Sequence, residues 1–107
     1  TIDTGAFQGA PNLNVIDMGS NKIEKIEIGA FDGLGAKSIT LGLDNNAIVN
    51  LENGTFEGLT MKYLNLHHNK LSTLRRGVFR GAQITGGLLL NDNSISTIES
   101  GVFDEPG

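Results

Sequence analysis

The chain has two histidines, and they are adjacent, His67-His68. Imidazole is the side chain best suited to acid–base work near neutral pH, and it is the commonest metal ligand. What this pair can do depends on which oxygens stand beside it. With no cysteine in the sequence, thiolate nucleophiles, thiolate metal sites and disulfides are excluded. That leaves carboxylates, amides and hydroxyls delivered by the fold, and their placement follows from a repeat.

Counting from Leu64, apolar residues fall at offsets 0, 2, 7, 10 and 15 (Leu64, Leu66, Leu71, Leu74, Phe79), with Asn69 at offset 5 and Gly77 at offset 13. The same grid reads Ile16, Met18, Asn21, Ile23, Ile26, Gly29, Phe31, then Leu41, Leu43, Asn46, Ile48, Leu51, Gly54, Phe56, and last Leu88, Leu90, Asn93, Ile95, Ile98, Gly101, Phe103. A truncated copy, Ile2, Gly5, Phe7, opens the chain. The phenylalanines Phe7, Phe31, Phe56, Phe79 and Phe103 are 24, 25, 23 and 24 residues apart, a period that signals a solenoid and not a globular core. The 107 residues then form a single array, with a partial repeat at 1–10 and full repeats at about 11–35, 36–59, 60–82 and 83–107. The start at Thr1, partway through a repeat, is what a processed or excised piece of a longer chain would show.

Each grid position has a physical reason. Residues at offsets −1 to 3 alternate between core and solvent as a short strand does, so 63–66 should lie beside 40–43 and 87–90 in a parallel sheet. The asparagines fall where the chain leaves the strand, and a buried amide there can satisfy backbone groups of its own and the adjacent repeat. The glycines at offset 13 should adopt backbone conformations closed to other residues, and the phenylalanines should fill the wide outer side of the core. Two repeats depart from the pattern. Ser38 and Thr85 stand where an apolar residue should begin the strand, so Ile39 or Ile84 is expected to fill the space through a bulge or register change.

On this grid His67 lies between Asp44 and Asn91, and His68 between Asn45 and Asp92. No third well-placed ligand accompanies them, so no metal site is expected. The nearest serine on that face, Ser20, is two repeats from His68, or ~10 Å, which is too far for a nucleophile and its base. With no glycine-rich phosphate loop on a helix and no cysteine, the sequence argues against an enzyme and against any cofactor. The histidine–aspartate neighbours should make ligand binding pH-sensitive at about pH 6–7.

Composition narrows the partners. At 38% apolar and 19% charged residues, the chain reads as an ordinary soluble fold. No apolar run approaches the ~20 residues of a membrane span. A net charge of −4 argues against nucleic acid, whose binding depends on neutralising phosphates.

The repeat resembles the extracellular, roughly 24-residue class of leucine-rich repeat. Its L-x-x-L-x-L-x-x-N-x-L motif is matched by Leu13, Ile16, Met18, Asn21 and Ile23, and by Met61, Leu64, Leu66, Asn69 and Leu71. The tail G-x-F-x-G-L, present at Gly29–Leu34 and Gly54–Leu59, is similar to tails in Toll-like receptors, Slit proteins, small leucine-rich proteoglycans and variable lymphocyte receptors. The resemblance implies an α/β solenoid: a right-handed coil with a short parallel β-sheet on the concave face and a mostly irregular or 3-10 convex side. It also implies an extracellular or cell-surface setting and a protein ligand on the concave face. The sequon Asn53-Gly54-Thr55 permits glycosylation in such a setting.

The residues of that face expected to meet a ligand are Asp17, Asp44, Tyr63, Asn65, His67, His68, Leu89 and Asn91, with Tyr63 and His67 standing proud of small neighbours. Asn21, Asn46, Asn69 and Asn93 are expected to form a structural ladder, and the five phenylalanines a structural spine. Residues 58–91 carry Lys62, Lys70, Arg75, Arg76 and Arg80 with no acid. Across repeats, however, Arg75 aligns with Glu52 and Glu99, and Arg80 with Glu57 and Asp104. Surface ion pairs are therefore expected there, leaving Lys62, Lys70 and Arg76 free, and not a polyanion site. A second role is open to the apolar ends: self-association by end-to-end stacking through Ile2 and Phe7 at one end and Ile98 and Phe103 at the other.

Overall fold

Each repeat opens with large apolar residues alternating with outward ones, the pattern of a strand with one buried face. In the computed structural model, which describes residues 1–3, 5–7, 14–34, 38–100 and 102, these stretches are β1 (Val15–Asp17), β2 (Ile39–Gly42), β3 (Thr60–Asn65) and β5 (Gln83–Leu89). They form one parallel sheet in the order β1-β2-β3-β5, a parallel β-solenoid of about three turns. Val15 pairs with Thr40, Thr40 with Tyr63 and Tyr63 with Gly87. The leucines one residue on, Leu41 and Leu64, are completely buried.

The strand starts show how Ser38 and Thr85 are accommodated. Ile39 pairs with Met61, and Met61 with Ile84. The register then shifts in both pairs, so that Thr40, Tyr63 and Gly87 realign after no, one and two intervening residues. Ile39 and Met61 are buried and Ile84 packs against the core, so an apolar residue from a different offset fills the same layer in each repeat. Lys62 is the extra residue of β3, and Gly86 of β5 lies where any Cβ would strike the Lys62 carbonyl.

On the opposite side, β4 (Thr73–Leu74) and β6 (Thr97–Ile98) form a second, two-stranded parallel sheet. Ile2 and Ile26, the matching residues of the first two repeats, form an isolated parallel bridge. The resemblance implied an α/β class with a mostly irregular or 3-10 convex side; among the described residues that side is irregular, with no α or 3-10 helices. Single turns replace them, as where Thr55 N–H donates to Glu52 O, Glu57 N–H to Gly54 O and Leu59 N–H to Phe56 O. Gly54 and Gly58, at φ of 79° and 84°, punctuate that stretch and stop it from winding on as a helix.

The offset-13 glycines are not uniform. Gly5, Gly29 and Gly54 have positive φ, whereas Gly77 does not. At Gly77 the constraint is one of space, since a Cβ there would stand 3.1 Å from Asn53 Cγ and the exposed Asn53 side chain would have to give way. Gly101 lies outside the described residues, as do Leu13 and Phe103.

Two columns run through the stack. Phe7, Phe31, Phe56 and Phe79 stack nearly parallel, with successive ring centroids 5.6, 5.9 and 6.1 Å apart. The other column is made of amides. Asn69 Oδ1 accepts the Ile48 N–H of the preceding repeat at 3.1 Å, while its Nδ2 donates to Leu43 O at 2.9 Å and to its own Leu66 O at 3.1 Å. Asn46 does the same with Ile23 N–H, Met18 O and Leu43 O. Asn93 does so with Leu71 N–H, Leu66 O and Leu90 O. Asn21 is exposed, and among the described residues its amide bonds only to Met18 O and Gly19 O of its own repeat.

That contrast gives a direct test by urea unfolding. Asn69→Ala strands the buried Ile48 N–H of the neighbouring repeat, at ~1–3 kcal/mol for such a group, while Leu43 O keeps its bond from Asn46 and Leu66 O its bond from Asn93. It should therefore cost about 1–3 kcal/mol, and Asn21→Ala less than about 1 kcal/mol. Equal losses would show that the amides do not join the repeats.

Candidate functional site on the concave face

The outward residues of the four-stranded sheet form one face. Tyr63 is 46% exposed on β3, and its ring leans over Gly87, where a Cβ would stand 3.3 Å from Tyr63 Cδ1. The Lys62 ammonium lies 5.9 Å from the same ring centroid. Asp17 and Asn91 are exposed, Asn65 is half-buried and Leu89 is 46% exposed. His67 does not stand proud: its side chain is only 24% exposed, packed between its neighbours.

The histidines touch each other. His67 Nδ1 and His68 Nδ1 are 2.6 Å apart, one ring donating and the other accepting. The outer nitrogens turn to carboxylates, His67 Nε2 to Asp44 Oδ2 at 4.0 Å and His68 Nε2 to Asp92 Oδ2 at 3.4 Å. Each carboxylate also accepts an amide from the residue beside it in sequence, Asn45 to Asp44 at 3.0 Å and Asn91 to Asp92 at 2.8 Å. The result is a row, Asp44–His67–His68–Asp92, that crosses three repeats. In a neutral ring the Nδ1 acceptor carries its proton on Nε2, and the shorter contact suits that ring to be His68. Both Nδ1 atoms are engaged with each other, and among the described residues no three His, Asp or Glu side chains converge as metal ligands do.

Sequence reasoning placed the carboxylates beside each histidine but missed the contact between the rings. Its origin is backbone. Ser20, Asn45, His68 and Asp92, at one offset of each repeat, all take left-handed φ between 54° and 59°. Asn, Asp and His are the side-chain-bearing residues most enriched there, and that recurrence was the available signal. The turn redirects His68 across the rim onto His67.

Beside this row the face is hollowed. Thr40 and Gly42 form the floor of a cavity of about 310 Å³. Val15 and Asp17 wall one side, Tyr63, Asn65 and Leu89 the other, and Asp44 closes it. The hollow exists because acids and glycines alternate diagonally between β1 and β2. Opposite Asp17 stands Gly42, and a Cβ on Gly19 would stand 2.8 Å from Asp44 Oδ1.

The basic stretch is arranged differently from its alignment in columns. Arg80 Nε faces Glu57 Oε1 at 4.0 Å, between two exposed side chains. Glu99, aligned with Arg75, instead accepts the backbone N–H of Arg76 at 2.8 Å, and Arg76 Nε donates to Ser100 O at 2.8 Å. Arg76 is therefore not free. A backbone donor left open at the turn is a fixed partner for Glu99, while a mobile guanidinium in water is a weak one. Asp104 lies outside the described residues.

The family model described as leucine rich repeat matches residues 1–36, 40–85 and 60–106. The chain belongs to the leucine-rich repeat family. Among curated proteins, this leucine-rich repeat chain is 32% identical over 102 residues to biglycan of Xenopus laevis, covering 94% of the chain and 27% of the relative. It is 31% identical over 75 residues to human leucine-rich repeats and immunoglobulin-like domains protein 1, covering 70% of the chain and 7% of the relative. The chain thus spans well under two thirds of either relative. No solved structure gives a significant match. Among the described residues, no helix is long and apolar enough to cross a membrane.

The outward position of these side chains has a measurable consequence. Tyr63→Ala and His67→Ala should each change the free energy of unfolding by less than about 1 kcal/mol, against ~2–5 kcal/mol for Leu64→Ala in the core. A core-sized loss for His67→Ala would make the histidine row part of the scaffold.

Proposed function

We propose that the chain is a non-catalytic recognition module that binds a protein ligand through the concave face of its sheet, within a larger extracellular or cell-surface protein of receptor, adhesion or matrix type. The observation that carries this reading is the contrast on that face: the backbone and the apolar side chains are engaged inward, while Tyr63, Asn65, Leu89 and the two aspartates surround an open hollow. Large amphipathic side chains beside small ones are the composition of an interface hot spot. The names of the relatives support a modular setting, since one of them joins leucine-rich repeats to immunoglobulin-like domains.

The test is a surface-plasmon screen of the immobilised chain against purified ectodomains and matrix proteins. For a partner so found, Tyr63→Ala and Asn65→Ala should weaken binding by tenfold or more, which is about 1.4 kcal/mol, and Glu57→Ala and Arg80→Ala on the outer side should leave it unchanged. The opposite pattern would place recognition on the convex side.

A second reading, assembly by stacking of repeat ends, has its own observation. Leu64, Leu66, Leu71 and Leu74 are completely buried in the third full repeat, whereas their counterparts Leu88, Leu90 and Ile95 are only partly buried and Ile98 is 56% exposed. That apolar face would be covered by a further repeat or by another copy of the chain. Light scattering over a concentration series decides. A mass that rises with concentration and reverts to monomer in Ile98→Asp supports stacking, and a constant monomer mass excludes it.

A further inference from the structure

We propose that the concave hollow is a receptor site for one arginine or lysine side chain of the protein partner, its cationic head held between Asp17 and Asp44 and its stem lying against Tyr63 and Val15. This rests on the concave-face reading above and adds the chemistry of what is bound there.

The two carboxylates converge on one place. The point at which a Cβ on Gly42 would stand is 3.3 Å from Asp17 Oδ1 and 3.5 Å from Asp44 Oδ1. Because Gly42 has no side chain, the space between the acids stays open, and two like charges face each other across it. A cation in that gap removes their repulsion and gains both attractions.

Among the described residues nothing already plays that part. Asp17 accepts the Gly19 N–H at 3.1 Å, and Asp44 has the Asn45 amide and the 4.0 Å contact with His67. Among the described residues no lysine or arginine reaches either acid, and Lys62 lies by the Tyr63 ring. The Lys62 ammonium, 5.9 Å from the ring centroid, lies at the outer range of a cation–π contact.

The walls match the rest of such a side chain. Val15 is 65% exposed and Tyr63 46% exposed. Lys and Arg cover apolar surface with their methylene stems, and the planar guanidinium stacks on aromatic rings. At about 310 Å³ the hollow is at the lower limit of small-ligand pockets, ~300–1,000 Å³, and suits a single side chain. An anionic occupant would meet two carboxylates, and an apolar one would desolvate them without compensation.

The test uses the ¹⁵N-labelled 107-residue chain, titrated at low salt with acetyl-Gly-Gly-Arg-Gly-Gly-amide and with its lysine and citrulline counterparts. The amides of Asp17, Gly42, Asp44 and Tyr63 should shift saturably with the two charged peptides. The neutral citrulline peptide should bind at least about fivefold more weakly, and D17N and D44N should each weaken the arginine peptide by about two- to fivefold. Gly42→Val, which fills the gap with the core untouched, should abolish the shifts while the spectrum stays dispersed. If citrulline and arginine peptides shift these amides equally, the hollow binds peptide without reading charge: the inference falls and the concave-face reading stands. If the shifts appear elsewhere or not at all, the inference also falls, and the ectodomain screen alone judges the wider reading.

Discussion

The side-chain amides of Asn46, Asn69 and Asn93 tie each repeat to the one before it at the place where the sheet can no longer do so. In a solenoid a repeat touches only its neighbours, so the stack is as sound as its joints. Along the strands the joint is made by backbone hydrogen bonds. Past the strand the chain turns inward, and without Asn69 the Ile48 N–H would be buried without a partner and Leu43 O would keep only the amide of Asn46 in its own repeat. One amide supplies the missing acceptor and a donor that reaches across to the preceding repeat. Aspartate would offer no donor and leucine would offer neither, which explains why this position cannot follow the hydrophobic pattern around it. Unpaired groups at such a joint cost more than the bonds are worth when made.

Because the joints are fixed from inside, the concave face has settled geometry. The spacing of the strands sets how far apart Asp17 and Asp44 stand, and the diagonal alternation with glycine keeps the gap between them empty. At the rim the left-handed turn does similar work, carrying His68 onto His67 so that two histidines and two aspartates form one continuous polar row. The outer side is held by the phenylalanine stack and the short β4–β6 pairing. Its ion pair between Arg80 and Glu57 is long and exposed, the kind that contributes little in water.

The strands, their parallel order and the alternation of core and surface were legible because the grid repeats four times and a strand period leaves one arrangement for it. The strand starts were less so. Ser38 and Thr85 break the pattern, but only pairing partners reveal that Ile39, Met61 and Ile84 occupy one layer from three offsets. The resemblance left the outer side either irregular or 3-10, and only the backbone shows Gly54 and Gly58 keeping the turn between them single. Charge columns predicted which residues come close, as Arg80 and Glu57 do. They could not predict that Glu99 would prefer the Arg76 backbone, because a sequence displays side-chain charges and hides open amides. The contact between the two histidines was hidden for the same reason, since it depends on a backbone turn.

Native-state hydrogen exchange tests the amide joints most directly. The amide protons of Ile23, Ile48 and Leu71 point at asparagine Oδ1 atoms of the next repeat, while those of Leu43 and Leu66 are held by the sheet. If the ladder makes the array one cooperative body, both sets exchange with the same high opening free energy. If Ile23, Ile48 and Leu71 exchange as quickly as exposed turn amides while Leu43 and Leu66 remain protected, the asparagines do not hold the repeats together, and the fixed concave geometry must have another cause.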